Sequence, residues 1–109
     1  MTFDEIKTAL DAAGFPVTYY QWPIGEVPAL PYVCYFFPRS NDDAADNSNY
    51  GRITAIAVEL YTDNKDVNVE RQMERALGAM GLVWEKSETY IDSERMYEVL
   101  YESEVVING

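Results

Sequence analysis

The chain has no histidine and a single cysteine, Cys34. The first absence removes the commonest zinc ligand and the commonest general base. The second excludes an internal disulfide, so nothing asks for an oxidising compartment. Basic residues are few: 8 Lys and Arg stand against 19 Asp and Glu, a formal net charge of −11. Duplex affinity rests mostly on phosphate neutralisation by Lys and Arg, and these scattered cations form no stripe, so stable nucleic-acid binding is not expected. Long apolar runs are missing too. The longest, Tyr32 to Phe37, falls far short of the roughly 20 residues that cross a bilayer, and no membrane partner is expected. The opening Met1-Thr2-Phe3-Asp4-Glu5 is acidic where a secretory leader is basic, which makes the cytoplasm, or a structure assembled there, the expected address.

What is present points to one domain over residues 1–109. A hydrophobic content of 48% with 14% aromatics is too high for disorder. A chain of this length buries roughly two-thirds of its unfolded surface and needs no staple to fold.

Thr2 followed by Glu5 has capping-box spacing, and Phe3, Ile6, Leu10 and Ala13 recur at helical intervals until Gly14 and Pro16. Val17 to Trp22 and Tyr32 to Phe37 are β-branched and aromatic and predict strands. Between them Pro23, Gly25, Pro28 and Pro31 make a stiff connection. Residues 39 to 51 have no apolar period and predict a long polar loop, mobile in the free subunit and ordered on assembly. Arg52 to Thr62 alternates again, with Ile56, Val58 and Leu60 on one face.

Asp66 or Asn68 can cap a second helix whose stripe is Val69, Met73, Ala76, Leu77 and Met80, ending at Gly81. Its opposite face, with Glu70, Arg71, Glu74 and Arg75, has the mixed charge of a solvated surface. Leu82 to Lys86 and Met96 to Val106 predict the last strands, joined by the polar stretch Ser87 to Arg95. In the final strand Tyr97, Val99 and Tyr101 alternate with Glu98, Leu100, Glu102 and Glu104. The fold class is therefore α+β, in the order helix, three strands, helix, two strands. Two helices cannot cover both faces of such a sheet, so a mainly antiparallel sheet with both helices on one face is expected.

The residue types supply little catalytic machinery. Cys34 sits in an apolar strand with no activating histidine, which fits a buried packing residue. An EF-hand begun at Asp42 would put Asn47 at the glycine position and Ile53 at the bidentate glutamate, and one begun at Asp43 ends on Thr54, so both registers fail. No Gly-rich phosphate loop, nucleophile elbow or metal-ligand spacing occurs. An enzyme is not expected, and neither is a cofactor or a bound metal. The aromatic surplus says more. Nine Tyr, four Phe and two Trp exceed what a domain this small hides, and Tyr19 falls on one strand face while Tyr20 and Trp22 fall on the other.

Three stretches, Leu30 to Phe37 (LPYVCYFF), Val58 to Glu70 (VELYTDNKDVNVE) and Glu85 to Val105 (EKSETYIDSERMYEVLYESEV), together with both helices, carry a family resemblance. The chain resembles the small tail terminator (tail completion or minor tail) proteins of long-tailed bacteriophages and prophages, over residues 3 to 106. The resemblance implies a non-enzymatic α+β subunit of a ring, typically hexameric, on the head-proximal end of the tail tube. Its implied partners are other copies of itself, the tail tube protein and the head connector or neck protein. Its implied location is the virion tail, assembled in the bacterial cytoplasm. Head-closure and neck-adaptor proteins are of similar size and remain an alternative. So does an unrelated class, a small acidic binding protein that mimics DNA. Candidate lumen- or partner-facing acids are Asp42, Asp43, Asp46, Glu98, Glu102 and Glu104, and candidate inter-subunit aromatics are Tyr19, Tyr20 and Trp22.

Overall fold

A computed structural model of the chain describes residues 1–39 and 52–108. The elements run α1 (Phe3–Asp11), β1 (Val17–Tyr19), β2 (Tyr32–Phe36), β3 (Arg52–Thr62), α2 (Val67–Ala79), β4 (Glu85–Ile91) and β5 (Met96–Ile107). They form one five-stranded sheet in the order β1-β2-β3-β5-β4. The pairs β2/β3, β3/β5 and β5/β4 are antiparallel, and β1/β2 is parallel. The α+β order and the mainly antiparallel sheet are as expected. The polar loop expected over residues 39 to 51, with Asp42, Asp43 and Asp46, lies outside the described residues except for Arg39.

Each helix forms for a local reason that can be checked. At α1 the Thr2 side chain accepts the Glu5 N–H at 3.1 Å while Glu5 Oε1 accepts the Thr2 N–H at 2.8 Å, a complete capping box. Asp66 Oδ1 caps α2 by accepting the Val69 N–H at 3.2 Å. The helices are tied together where α1 ends. Gln72 Nε2 donates to the Ala13 carbonyl at 2.6 Å, and the chain turns there through Gly14 at φ +94°. A Cβ at Gly14 would meet Gln72 Nε2 at 3.1 Å, so glycine serves both the turn and the approach.

The core lies between the helices and one sheet face. Ile6 and Leu10 of α1 and Met73 and Leu77 of α2 meet Val33, Ile56, Val58, Leu60, Val99 and Tyr101. The β3/β5 ladder, from Arg52↔Ile107 to Thr62↔Tyr97, is the spine of the sheet. Because side chains alternate, this register sends Val99 and Tyr101 into the core and turns Glu98, Glu102 and Glu104 to the opposite face.

Three expectations need correction. The first strand stops at Tyr19 and does not reach Trp22, because Tyr20 adopts φ +68° and takes the chain off the ladder. The long connection that follows is what a parallel β1/β2 pair requires. Strand β4 covers Glu85–Ile91 instead of Leu82–Lys86. As an edge strand exposed at nearly every position it shows no apolar alternation, while Leu82 and Trp84, which drew the expectation, pack against the core before it begins. The charged face of α2 is not uniformly solvated, since Glu70 is only 2% exposed.

Candidate interaction surfaces

The sheet face away from the helices carries the carboxylates. Tyr61 and Glu98 are direct partners on β3 and β5, and the Tyr61 hydroxyl donates to Glu98 Oε2 at 2.9 Å. Glu59 lies two positions along on the same face, where its carboxyl interacts with that of Glu98. Burial pushes the Glu59 carboxyl up to about 8, helped by the neighbouring Glu98 carboxyl, while Tyr61 pulls partly back. Cys34, the β2 partner of Glu59, is raised by burial and then by Glu59 and Glu98 to about 11. The thiol therefore stays protonated and unreactive near neutrality, as a packing residue should. Tyr61 is pushed far above the ordinary phenol value by burial and by the same two carboxyls.

Glu102 and Glu104 behave differently from Glu98. Both are exposed, and with Glu85 they border a concavity of about 560 Å³ that also holds Arg39, Trp84 and Ser103. Glu98 thus belongs to a half-buried polar cluster, whereas Glu102 and Glu104 form an open acidic row toward the far end of β5.

A second charged group sits on the helix side of the sheet. Lys86 Nζ lies 2.7 Å from Glu70 Oε1 and 2.7 Å from Glu74 Oε2. Lys65 Nζ lies 2.9 Å from Glu70 Oε2 and 2.7 Å from Glu88 Oε2. Tyr101 donates its hydroxyl to Glu74 at 2.8 Å, and Lys86 lies over its ring, 5.8 Å from the centroid. Burial alone would raise Glu70, but the two ammoniums outweigh it and hold the carboxyl below its usual value. These contacts fasten β4, which pairs only with β5 among the described residues, to α2.

The opposite edge of the sheet is aromatic. Tyr19 stands 50% exposed with its ring edge-on to Tyr35 at 5.2 Å, and Phe3, 53% exposed, meets Phe37 at 5.2 Å. On the other face Tyr20 packs against Phe36 and Trp22 against Tyr32. The structure thus keeps Tyr19 apart from Tyr20 and Trp22, although both lie beyond the end of β1 and strand alternation does not place them, and brings none of the three to the acidic row.

Sequence reasoning missed Glu59, Tyr61, Lys65, Glu70 and Lys86. Glu70 had a legible sign: it precedes Met73 and Leu77 at helical intervals and so lies on the apolar stripe. The Glu59–Glu98 contact had none, because it depends on the pairing of distant strands. Among the described residues no group of three or more His, Cys, Asp or Glu is placed to hold a metal ion, and no helix is long and apolar enough to cross a membrane. Compared with protein-family models, curated proteins and solved structures, the chain matches none of them.

Proposed function

We propose that the chain is a structural subunit that joins copies of itself head to tail into a closed ring, in the manner of the phage tail terminators it resembles. The observation that supports this reading is the unlikeness of the two sheet edges. One edge, with the adjoining start of α1, exposes Phe3, Tyr19 and Tyr20, and the other exposes the charged strand Glu85–Ile91. Contact between unlike patches of identical subunits is heterologous, and a heterologous contact whose rotation closes makes a ring. Aromatic side chains supply apolar area at such a contact with little loss of rotamer freedom.

In this reading the acidic row of Glu102 and Glu104 faces a lumen or a partner. A negative lumen would keep DNA phosphates from adhering as the genome passes. The partners are then the tail tube protein on one side and the connector or neck protein on the other, and the location is the virion tail. The test is sedimentation velocity across a concentration and salt series, alone and with purified tail tubes. A discrete closed oligomer that binds tube ends supports the proposal, and a monomer under every condition overturns it.

One observation favours a second reading. Glu85, Glu102 and Glu104 lie close together around one concavity, as a compact DNA mimic would require. A monomer that displaces DNA from a basic enzyme groove would select that reading over the ring.

A further inference from the structure

At the junction of β3 and α2 the chain encloses a concavity of about 240 Å³ whose lining combines two chemistries. Leu30, Pro31 and Val69 are apolar, while Thr62, Asp63, Asn64 and Asp66 offer side-chain oxygen acceptors. Thr62 is held by the last pair of the β3/β5 ladder and is only 3% exposed. Among the described residues its hydroxyl Oγ1 is buried without a hydrogen-bond partner. Native chains rarely leave such a group unpaired, and one that lines a concavity marks a place where a donor belongs.

The charges around the concavity define that donor. Asp66 uses Oδ1 on the Val69 N–H, which leaves its other oxygen available. Lys65, the cation between Asn64 and Asp66 in sequence, is turned to Glu70 and Glu88 and does not neutralise the site. The positive end of α2 is worth only about half a charge, so two carboxylates leave the concavity net negative. A bare metal ion fits poorly, because only two of the lining groups are carboxylates and three are apolar. A group that is cationic, rich in donors and carried on an apolar stem uses the whole lining.

We propose that this concavity receives an arginine side chain of a partner chain. The guanidinium is a planar fork of five donors, which matches several acceptors on different residues better than the compact ammonium of lysine, and the methylene stem is matched by Leu30, Pro31 and Val69. The inference stands on these residues and does not depend on the ring.

The experiment is an amide-resolved NMR titration of the full chain with n-butylguanidinium, with n-butylammonium and calcium chloride as separate probes. Butylguanidinium is expected to shift the amides of Thr62 to Val69 saturably in the millimolar range, about fivefold more tightly than butylammonium. Asp63→Asn/Asp66→Asn should weaken it about tenfold without unwinding α2, because asparagine caps a helix as well as aspartate. Thr62→Val should weaken it severalfold, and Asp63→Asn alone provides a milder variant if the others fold poorly. Absence of saturable shifts, equal binding of butylammonium, saturation of the same amides by calcium alone, or unchanged affinity in Thr62→Val would each overturn the proposal.

Discussion

Tyr61 donates its hydroxyl hydrogen to Glu98 Oε2 at 2.9 Å across the β3/β5 ladder, and the Glu59 carboxyl on the same face interacts with Glu98. The trio makes stability depend on pH with a definite sign. Glu59 keeps its proton in the folded chain up to about 8, whereas the unfolded chain releases it near the ordinary 4.5. Between those values the unfolded state gains charge first, so this group makes stability fall as pH rises, and its effect levels off above about 8. Glu59→Gln retains a donor for Glu98 and does not titrate. Urea midpoints should show the variant flatter across this window and more stable than the wild type at its alkaline end, by about 1 to 2 kcal/mol.

The Glu70 cluster should act in the opposite sense. Its carboxyl lies below the ordinary 4.5 in the folded state, so its contribution is present above that value and is lost as pH falls through the lower, folded one. Lys86→Ala leaves Glu70 buried with only Lys65 beside it and should cost about 1 to 3 kcal/mol, less than a fully enclosed pair because both lysines reach water. The double change Lys65→Ala/Lys86→Ala should cost more than the sum of the single ones, since it strands the charge. Additive denaturant midpoints would show that the two lysines act independently.

Leu77 is fully packed between α2 and the sheet. Leu77→Ala should cost about 2 to 5 kcal/mol by thermal or urea unfolding. A loss below about half a kcal/mol, the range of surface positions, would contradict the core placement.

Glu102 and Glu104 are exposed and should be nearly silent in stability. If they face a lumen, Glu102→Gln/Glu104→Gln should ease ring closure at low salt and make the ring retain DNA. The advantage should shrink near 0.1 M salt, where screening shortens the Debye length to about 10 Å. Sedimentation velocity and a DNA-retention assay read the two effects. No change in either would place the pair in bulk solvent.

Much of the fold was legible because its signals are local. The stripe of Met73 and Leu77, the Asp66 cap and the turn at Gly81 specify α2 within a few helical turns. Alternation along Arg52–Thr62 and Met96–Ile107 specifies two strands and assigns Val99 and Tyr101 to one face and Glu102 and Glu104 to the other. Strand β4 carried no such signal, since an edge strand that stays wet on both faces has no reason to alternate.

The sequence by itself thus determined the α+β class, the two helices, the long strands and the outward direction of the acidic row, all properties of periods within single elements. Tertiary structure alone decided which elements are neighbours. It set β1 parallel to β2, carried Glu70 under two lysines from different parts of the chain, and brought the Glu59 and Glu98 carboxyls together. A period of two or 3.6 residues states which way a side chain points, but only the pairing register of strands far apart in the chain states what it meets.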